Sequence, residues 1–168
     1  MQKLPNELIG KILFINKDLD ILVKLGFFYK VAQLKDAIDW ASANGHLEVV
    51  KYLHSIGKEC TTDAIDRASA NGHLEVVKYL HSIGKDCTKD AMNLASINGH
   101  LEVVKYLYFI GKDCTRYTIG LASYYGRLDI VKYLYSIGKE CTAFEINWAS
   151  KNGHLEFITF FKSISKQP

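Results

Sequence analysis

Apolar and polar positions along this chain follow the beat of short helices. In "DAIDRASANGHLEVVKYLHSIGKD" (Asp63 to Asp86), Ile65, Ala68 and Ser69 fall on one side of a helix, and Asp63, Arg67 and Ala70 on the other. A second apolar segment, "LEVVKYL", follows Asn71-Gly72, with Glu75 and Lys78 one turn apart on its polar side. The pattern predicts one helix from about Thr61 to Asn71 and another from His73-Leu74 to Ile83-Gly84. Thr61 suits the N-cap, Asp63 the first turn, and Asn71-Gly72 the left-handed stop. Thr88, Thr115 and Thr142 repeat the cap, and Thr142 with Glu145 forms a capping box. Glu48–Lys51, Glu75–Lys78, Glu102–Lys105 and Asp129–Lys132 are expected to be solvated pairs. Each adds about a few tenths of a kcal/mol.

The two-helix pattern repeats. "NGHLEVVKYLHSIGK" runs from Asn44 to Lys58, returns unchanged from Asn71 to Lys85, and returns from Asn98 to Lys112 with two letters altered. The glycines at 45, 72, 99, 126 and 153 are 27 residues apart, as are Cys60, Cys87, Cys114 and Cys141. A fixed period in this range marks a solenoid whose units stack side by side. One such unit buries too little to fold alone, so the constant letters are those that touch the neighbours. The expected architecture is an all-α solenoid with units at 33–59, 60–86, 87–113, 114–140 and 141–167, preceded by a capping repeat at 1–32.

Ala68-Ser69, the run Asn71 to Lys78 and Gly84 carry a resemblance to the ankyrin repeat, recurring in register over about residues 34–166. The resemblance implies stacked helix-turn-helix units, no catalysis, and a groove lined by the first helices that holds a protein partner. Two features depart from it. The family's T-P-L-H opening is here Asp63-Ala64-Ile65-Asp66, so its Thr/His hydrogen-bond network is expected to be missing. The period falls short of the family's ~33 residues at the place of the β-hairpin finger, so tight loops with little or no β structure are expected. Short-period arrays of this kind resemble those encoded by giant DNA viruses of amoebae. "LPNELIGKIL" (Leu4 to Leu13) also resembles the opening of an F-box, which would make residues 4–30 a docking motif for a cullin-type ubiquitin ligase instead of a cap. The Trp usual late in that motif is absent.

Composition narrows the chemistry. Of 168 residues, 48% are apolar and 23% charged, as in folded proteins. The 21 basic and 18 acidic residues are interspersed, so no basic run suggests nucleic acid or an anionic membrane. The N-terminus does not read as a signal peptide, and no apolar run is long enough to span a bilayer, so an intracellular, cytoplasmic protein is expected. In a regular stack equivalent cysteines lie roughly 8–10 Å apart. That is too far for disulfides or a shared zinc ion, so the cysteines are read as small core residues. His46, His73, His100 and His154 are kept apart by the same spacing, with Arg127 in the fourth unit, and are read as shaping the start of each second helix. No nucleophile–base pair or phosphate loop is present, so no cofactor, metal or catalytic residue is expected.

What varies is the outward side of each first helix. The positions equivalent to 63, 67 and 70 read Asp36, Trp40, Ala43; Asp63, Arg67, Ala70; Asp90, Leu94, Ile97; Tyr117, Leu121, Tyr124; and Phe144, Trp148, Lys151. Tyr125 and Arg116 extend this stripe in the fourth unit. Large apolar residues where packing does not require them suggest a protein-binding surface. Its candidates are Trp40, Arg67, Leu94, Ile97, Arg116, Tyr117, Leu121, Tyr124, Tyr125, Phe144, Trp148 and Lys151. The last unit breaks pattern with Phe157, Phe160 and Phe161, and Ser165 replaces its terminal glycine. Two or more of these phenylalanines are expected to stay partly exposed. A monomer is expected, with self-association through the C-terminal end and a purely structural, self-assembling role as alternatives.

Overall fold

The computed structural model describes Ala32 and residues 34–164. The capping repeat at 1–32, the F-box-like stretch at 4–30 and Ser165 lie outside the described residues, Ala32 excepted. Ten α-helices and no strand occur among the described residues. The first helices are α1 (Ala37–Ala43), α3 (Asp63–Ala70), α5 (Asp90–Asn98), α7 (Arg116–Tyr124) and α9 (Ala143–Lys151). The second helices are α2 (Leu47–Ser55), α4 (Leu74–Ser82), α6 (Leu101–Phe109), α8 (Leu128–Ser136) and α10 (Leu155–Ile164).

Each helix buries the letters that repeat. Ile65, Ala68 and Ser69 of α3 are sealed, as are Val76, Val77 and Leu80 of α4. A fully buried side chain of the Val or Leu type contributes about 1.5–3 kcal/mol. The same positions in neighbouring units join them into one continuous core. First helices lie closer to one another than second helices do. The stack therefore curves, with the first helices on its inner side. None of the described helices is long and apolar enough to cross a membrane.

Gly72 and Gly84 end α3 and α4 with φ near +77° and +79°, the left-handed turn that the sequence signals. Thr115 and Thr142 are N-caps with capping boxes. In α3 and α5 the cap shifts by one residue: the Thr61 and Thr88 hydroxyls accept from the N–H of Asp63 and Asp90 but stand before the residue that opens the helix. Three of the four expected exposed ion pairs form. In the fourth unit Lys132 instead sits over the Phe160 ring, 5.6 Å from its centroid.

One expectation is extended and one corrected. His46, His73 and His100 stand at the N-cap positions of the second helices, as expected, but their side chains make no cap bond there. His73 Nε2 reaches back to the Ala43 carbonyl at 3.1 Å, and His154 Nε2 to that of Tyr124 at 3.1 Å. Arg127 keeps the role, donating Nε to the Ile97 carbonyl at 2.7 Å. Asn71 and Asn98 add amide bonds to the Ala43 and Ala70 carbonyls. These residues stitch each unit to the one before. The C-terminal phenylalanines are the correction: Phe157 and Phe161 are buried and Phe160 is half-buried. They turn inward because the last helix must fill the core with its own bulk.

Candidate interaction face

None of the stripe positions, from Asp36 to Lys151, enters the core. Arg67, Arg116, Tyr117, Tyr124, Tyr125, Phe144 and Lys151 are exposed; Trp40, Leu94, Ile97, Leu121 and Trp148 are half-buried. Trp40 packs partly against the core. The face thus runs along the inner side of the curve, and its character changes along the way.

At the N-terminal end Trp40 and Arg67 line a hollow of about 370 Å³ with Asp36, Asp39, Thr61 and Asp63. Arg67 donates to Asp63 at 3.1 Å, so this end is polar and paired with itself. At the C-terminal end Arg116, Tyr117, Phe144 and Trp148 converge on a cleft of about 430 Å³. The Phe144 and Trp148 rings lie 4.7 Å apart, and Tyr124 meets Trp148 edge-on at 5.9 Å. The Arg116 guanidinium stands 6.0 Å over the Phe144 ring. Leu94, Ile97 and Leu121 line neither hollow.

Two cleft residues are not among the sequence-derived candidates for the face, although Glu145 is expected as a capping-box residue. Gly120 stands where the first three units carry Asp39, Asp66 and Asn93. A Cβ there would meet the Trp148 ring in ordinary contact at 3.5 Å, so the indole packs directly beside this glycine. Glu145 is fully buried at the back of the cleft. Its Oε2 accepts from the Thr142 N–H at 2.7 Å and hydroxyl at 2.6 Å, and its Oε1 from Arg116 Nε at 3.3 Å. Burial pushes the Glu145 carboxyl up, but these bonds outweigh it and hold the group below its ordinary range.

The same threonine groups are held differently toward the N-terminus. Asp39 accepts from the Thr61 N–H at 3.0 Å and hydroxyl at 2.7 Å, across the unit boundary. Asp66 does the same for Thr88, at 2.9 and 2.6 Å. The Asp–Thr pairs form an inter-unit network where the T-P-L-H departure implied that a network is missing. Burial raises the Asp66 carboxyl above its usual value, partly offset by the Thr88 bonds. Asn93 takes the Thr118 hydroxyl at 2.8 Å, while Thr118 caps with Thr115. One sequence signal could have revealed this: the pairs Asp39/Ala64, Asp66/Ala91, Asn93/Thr118 and Gly120/Glu145 change together.

The cysteines are free thiols, and burial pushes Cys87 and Cys141 up to about 11, so both stay protonated at neutral pH. Among the described residues no group of three or more His, Cys, Asp or Glu is placed to hold a metal ion. A family model described as ankyrin repeats in three copies matches residues 38–118 and again 65–145. No curated protein matches the chain.

Proposed function

Since the chain belongs to the ankyrin repeat family, whose repeats generally serve as protein–protein interaction modules and are typically non-catalytic, we propose that it grips a protein partner along the inner face of its first helices. The hold is tightest at the C-terminal cleft, where a partner side chain enters between Tyr117, Phe144 and Trp148. One observation carries this reading. The stripe positions stay out of the core in all five units, yet only the last two units place exposed aromatic rings there. Such rings do little for folding while they face water, and in interfaces they supply most of the binding energy. The self-paired charges of the N-terminal hollow set register more than affinity.

Tyr117→Ser, Tyr124→Ser and Phe144→Ser together test the reading. Affinity capture from the native cell should lose the partner, while thermal unfolding stays almost unchanged because exposed substitutions usually cost less than about 0.5 kcal/mol each. Undiminished capture would place the binding surface elsewhere. A steep fall in melting temperature would assign the three rings to the core.

A further inference from the structure

The charges of the aromatic cleft decide what it accepts. Arg116, Tyr117, Gly120, Phe144 and Trp148 line a space of about 430 Å³, with Glu145 behind them. Aromatic faces beside a carboxylate are what a cage for a cation is made of, above all for a quaternary ammonium. Here the cationic place is already taken. The Arg116 guanidinium stands 6.0 Å over the Phe144 ring, its Nε donating to Glu145 Oε1 at 3.3 Å and its Nη2 to Thr142 Oγ1 at 2.8 Å. The Arg116 side chain is 64% exposed, and that of Glu145 is fully buried. An arriving cation therefore meets a like charge first, while the carboxylate is already matched. An arriving anion finds the guanidinium matched in turn, and the ring faces around it are negative. The rest of the lining is apolar. Tyr117 stays 61% exposed although the unit after it is in place, so the cleft is open between α7 and α9 whatever follows α9.

We propose that Arg116 sets the specificity of this cleft: it fills the cationic position itself and leaves room for one uncharged aromatic side chain, a Phe or Trp of the partner. Charge complementarity selects the occupant, because the Arg116–Glu145 pair is neutral and rewards neither sign of charge. Ring chemistry then separates aromatic from aliphatic. The Phe144 and Trp148 rings are inclined at 44° to each other, and Tyr117 adds a third ring. An entering ring can therefore meet one of them edge-on or offset, the geometries that aromatic pairs favour beyond simple burial. An aliphatic side chain fills the space without that gain. The inference rests on the partner-binding reading of this cleft and names the side chain that enters it.

Titrations of the full chain with small probes test it, followed by NMR at the Trp148 indole N–H, the signal that Trp148→Phe removes. N-acetylphenylalaninamide should shift that signal with a dissociation constant in the millimolar range, as suits so small a ligand. N-acetylleucinamide should bind at least about twofold more weakly, and tetramethylammonium and acetate should leave the signal in place. Arg116→Gln removes the charge and should tighten tetramethylammonium binding at least about tenfold, because Glu145 then backs a cage without a cation. Arg116→Lys keeps the charge and should keep cations out. Helical circular dichroism should be the same in both variants; should Arg116→Gln fail to fold, the order of probes on the parent chain decides alone. The proposal is overturned if the parent chain takes tetramethylammonium, acetate or N-acetylleucinamide as tightly as N-acetylphenylalaninamide, or binds none of them. A folded Arg116→Gln chain that still excludes cations overturns it too. Capture by the triple serine variant fails separately. Undiminished capture beside the expected order of probes removes the partner from the cleft and leaves its selectivity standing, whereas lost capture beside another order leaves the partner there and removes this inference.

Discussion

The seam between the first two units and the seam between the last two solve one problem from opposite sides. In each, a threonine at the start of a first helix offers its N–H and hydroxyl to a carboxylate. At Thr61 the carboxylate is Asp39 of the preceding unit; at Thr142 it is Glu145 of the same helix. Once Glu145 takes over the cap, the preceding unit no longer needs a side chain at position 120. Gly120 stands there, Trp148 moves alongside it, and the aromatic cleft opens. A glycine inside a helix costs about 1 kcal/mol relative to alanine. That cost falls where the cleft lies and nowhere else among the first helices. Relocating a structural bond has thus freed a surface position without opening the seam, because Arg116 of the fourth unit still reaches Glu145 and Thr142.

Breaking the relocated bond should give the largest effect. Glu145→Ala restores the alanine of the first three units but leaves Thr142 with no carboxylate on either side. Thr142 keeps its own cap bond from the Phe144 N–H, but a broken capping box costs about 0.5–2 kcal/mol and a lost charged hydrogen bond about 1.5–3. The urea midpoint should therefore report a loss of about 2–4 kcal/mol. Adding Gly120→Asp rebuilds the N-terminal arrangement and should recover more than half of that loss. Simple additivity of the two changes would show that the two seams are not equivalent. The double variant should also weaken capture of the partner, since it brings a carboxylate beside the Trp148 indole in the apolar cleft.

Much of this was legible in the letters, for physical reasons. The helix pairs, their glycine stops and the Thr142–Glu145 box depend on residues close in sequence, so local rules reach them. The outward stripe was legible because helical periodicity fixes which positions avoid the core. The bonds between units were not. His73 crosses 30 residues to Ala43 and Thr61 crosses 22 to Asp39, and a side chain at a helix start reads as a cap until the neighbour is in place. Phe157 misled because a large apolar residue in a terminal unit looks unprotected in sequence. In the stack it fills the space that Val49, Val76, Val103 and Ile130 fill elsewhere.

A second contrast concerns the NGH glycines. At Gly45, φ +72° already disfavours a side chain, and a Cβ would lie 2.5 Å from His73 Nδ1. That ring is held by the Ala43 carbonyl and cannot swing away freely. Gly45→Ala should cost about 2–3 kcal/mol, left-handed strain of about 1–2 plus the displaced stitch. At Gly99 the obstacle is the flexible Arg127 chain at 3.2 Å, so the cost should be smaller. Gly153→Ala faces only the strain and should cost about 1 kcal/mol. Equal losses at all three in thermal unfolding would mean that the stitches contribute nothing.

The smallest effect separates the seams by pH. Burial holds the His73 imidazole below its ordinary pKa, against the opposing pull of its bond to Ala43. The folded state therefore disfavours the charged ring more than the unfolded chain does. Its stabilising contribution is complete above the unfolded value of about 6.5 and is lost as pH falls through the lower folded value. The seam between the third and fourth units carries Arg127, which stays charged throughout that range. Between pH 7.5 and pH 5, about the window over which a histidine changes charge, amide exchange in α3 and α4 should quicken relative to α7 and α8, after correction for the intrinsic pH dependence of exchange. His73→Arg should remove that difference, because a guanidinium at this place carries the stitch regardless of pH. If exchange at the two seams changes in parallel on acidification, burial of the His73 ring is not what couples pH to the stack.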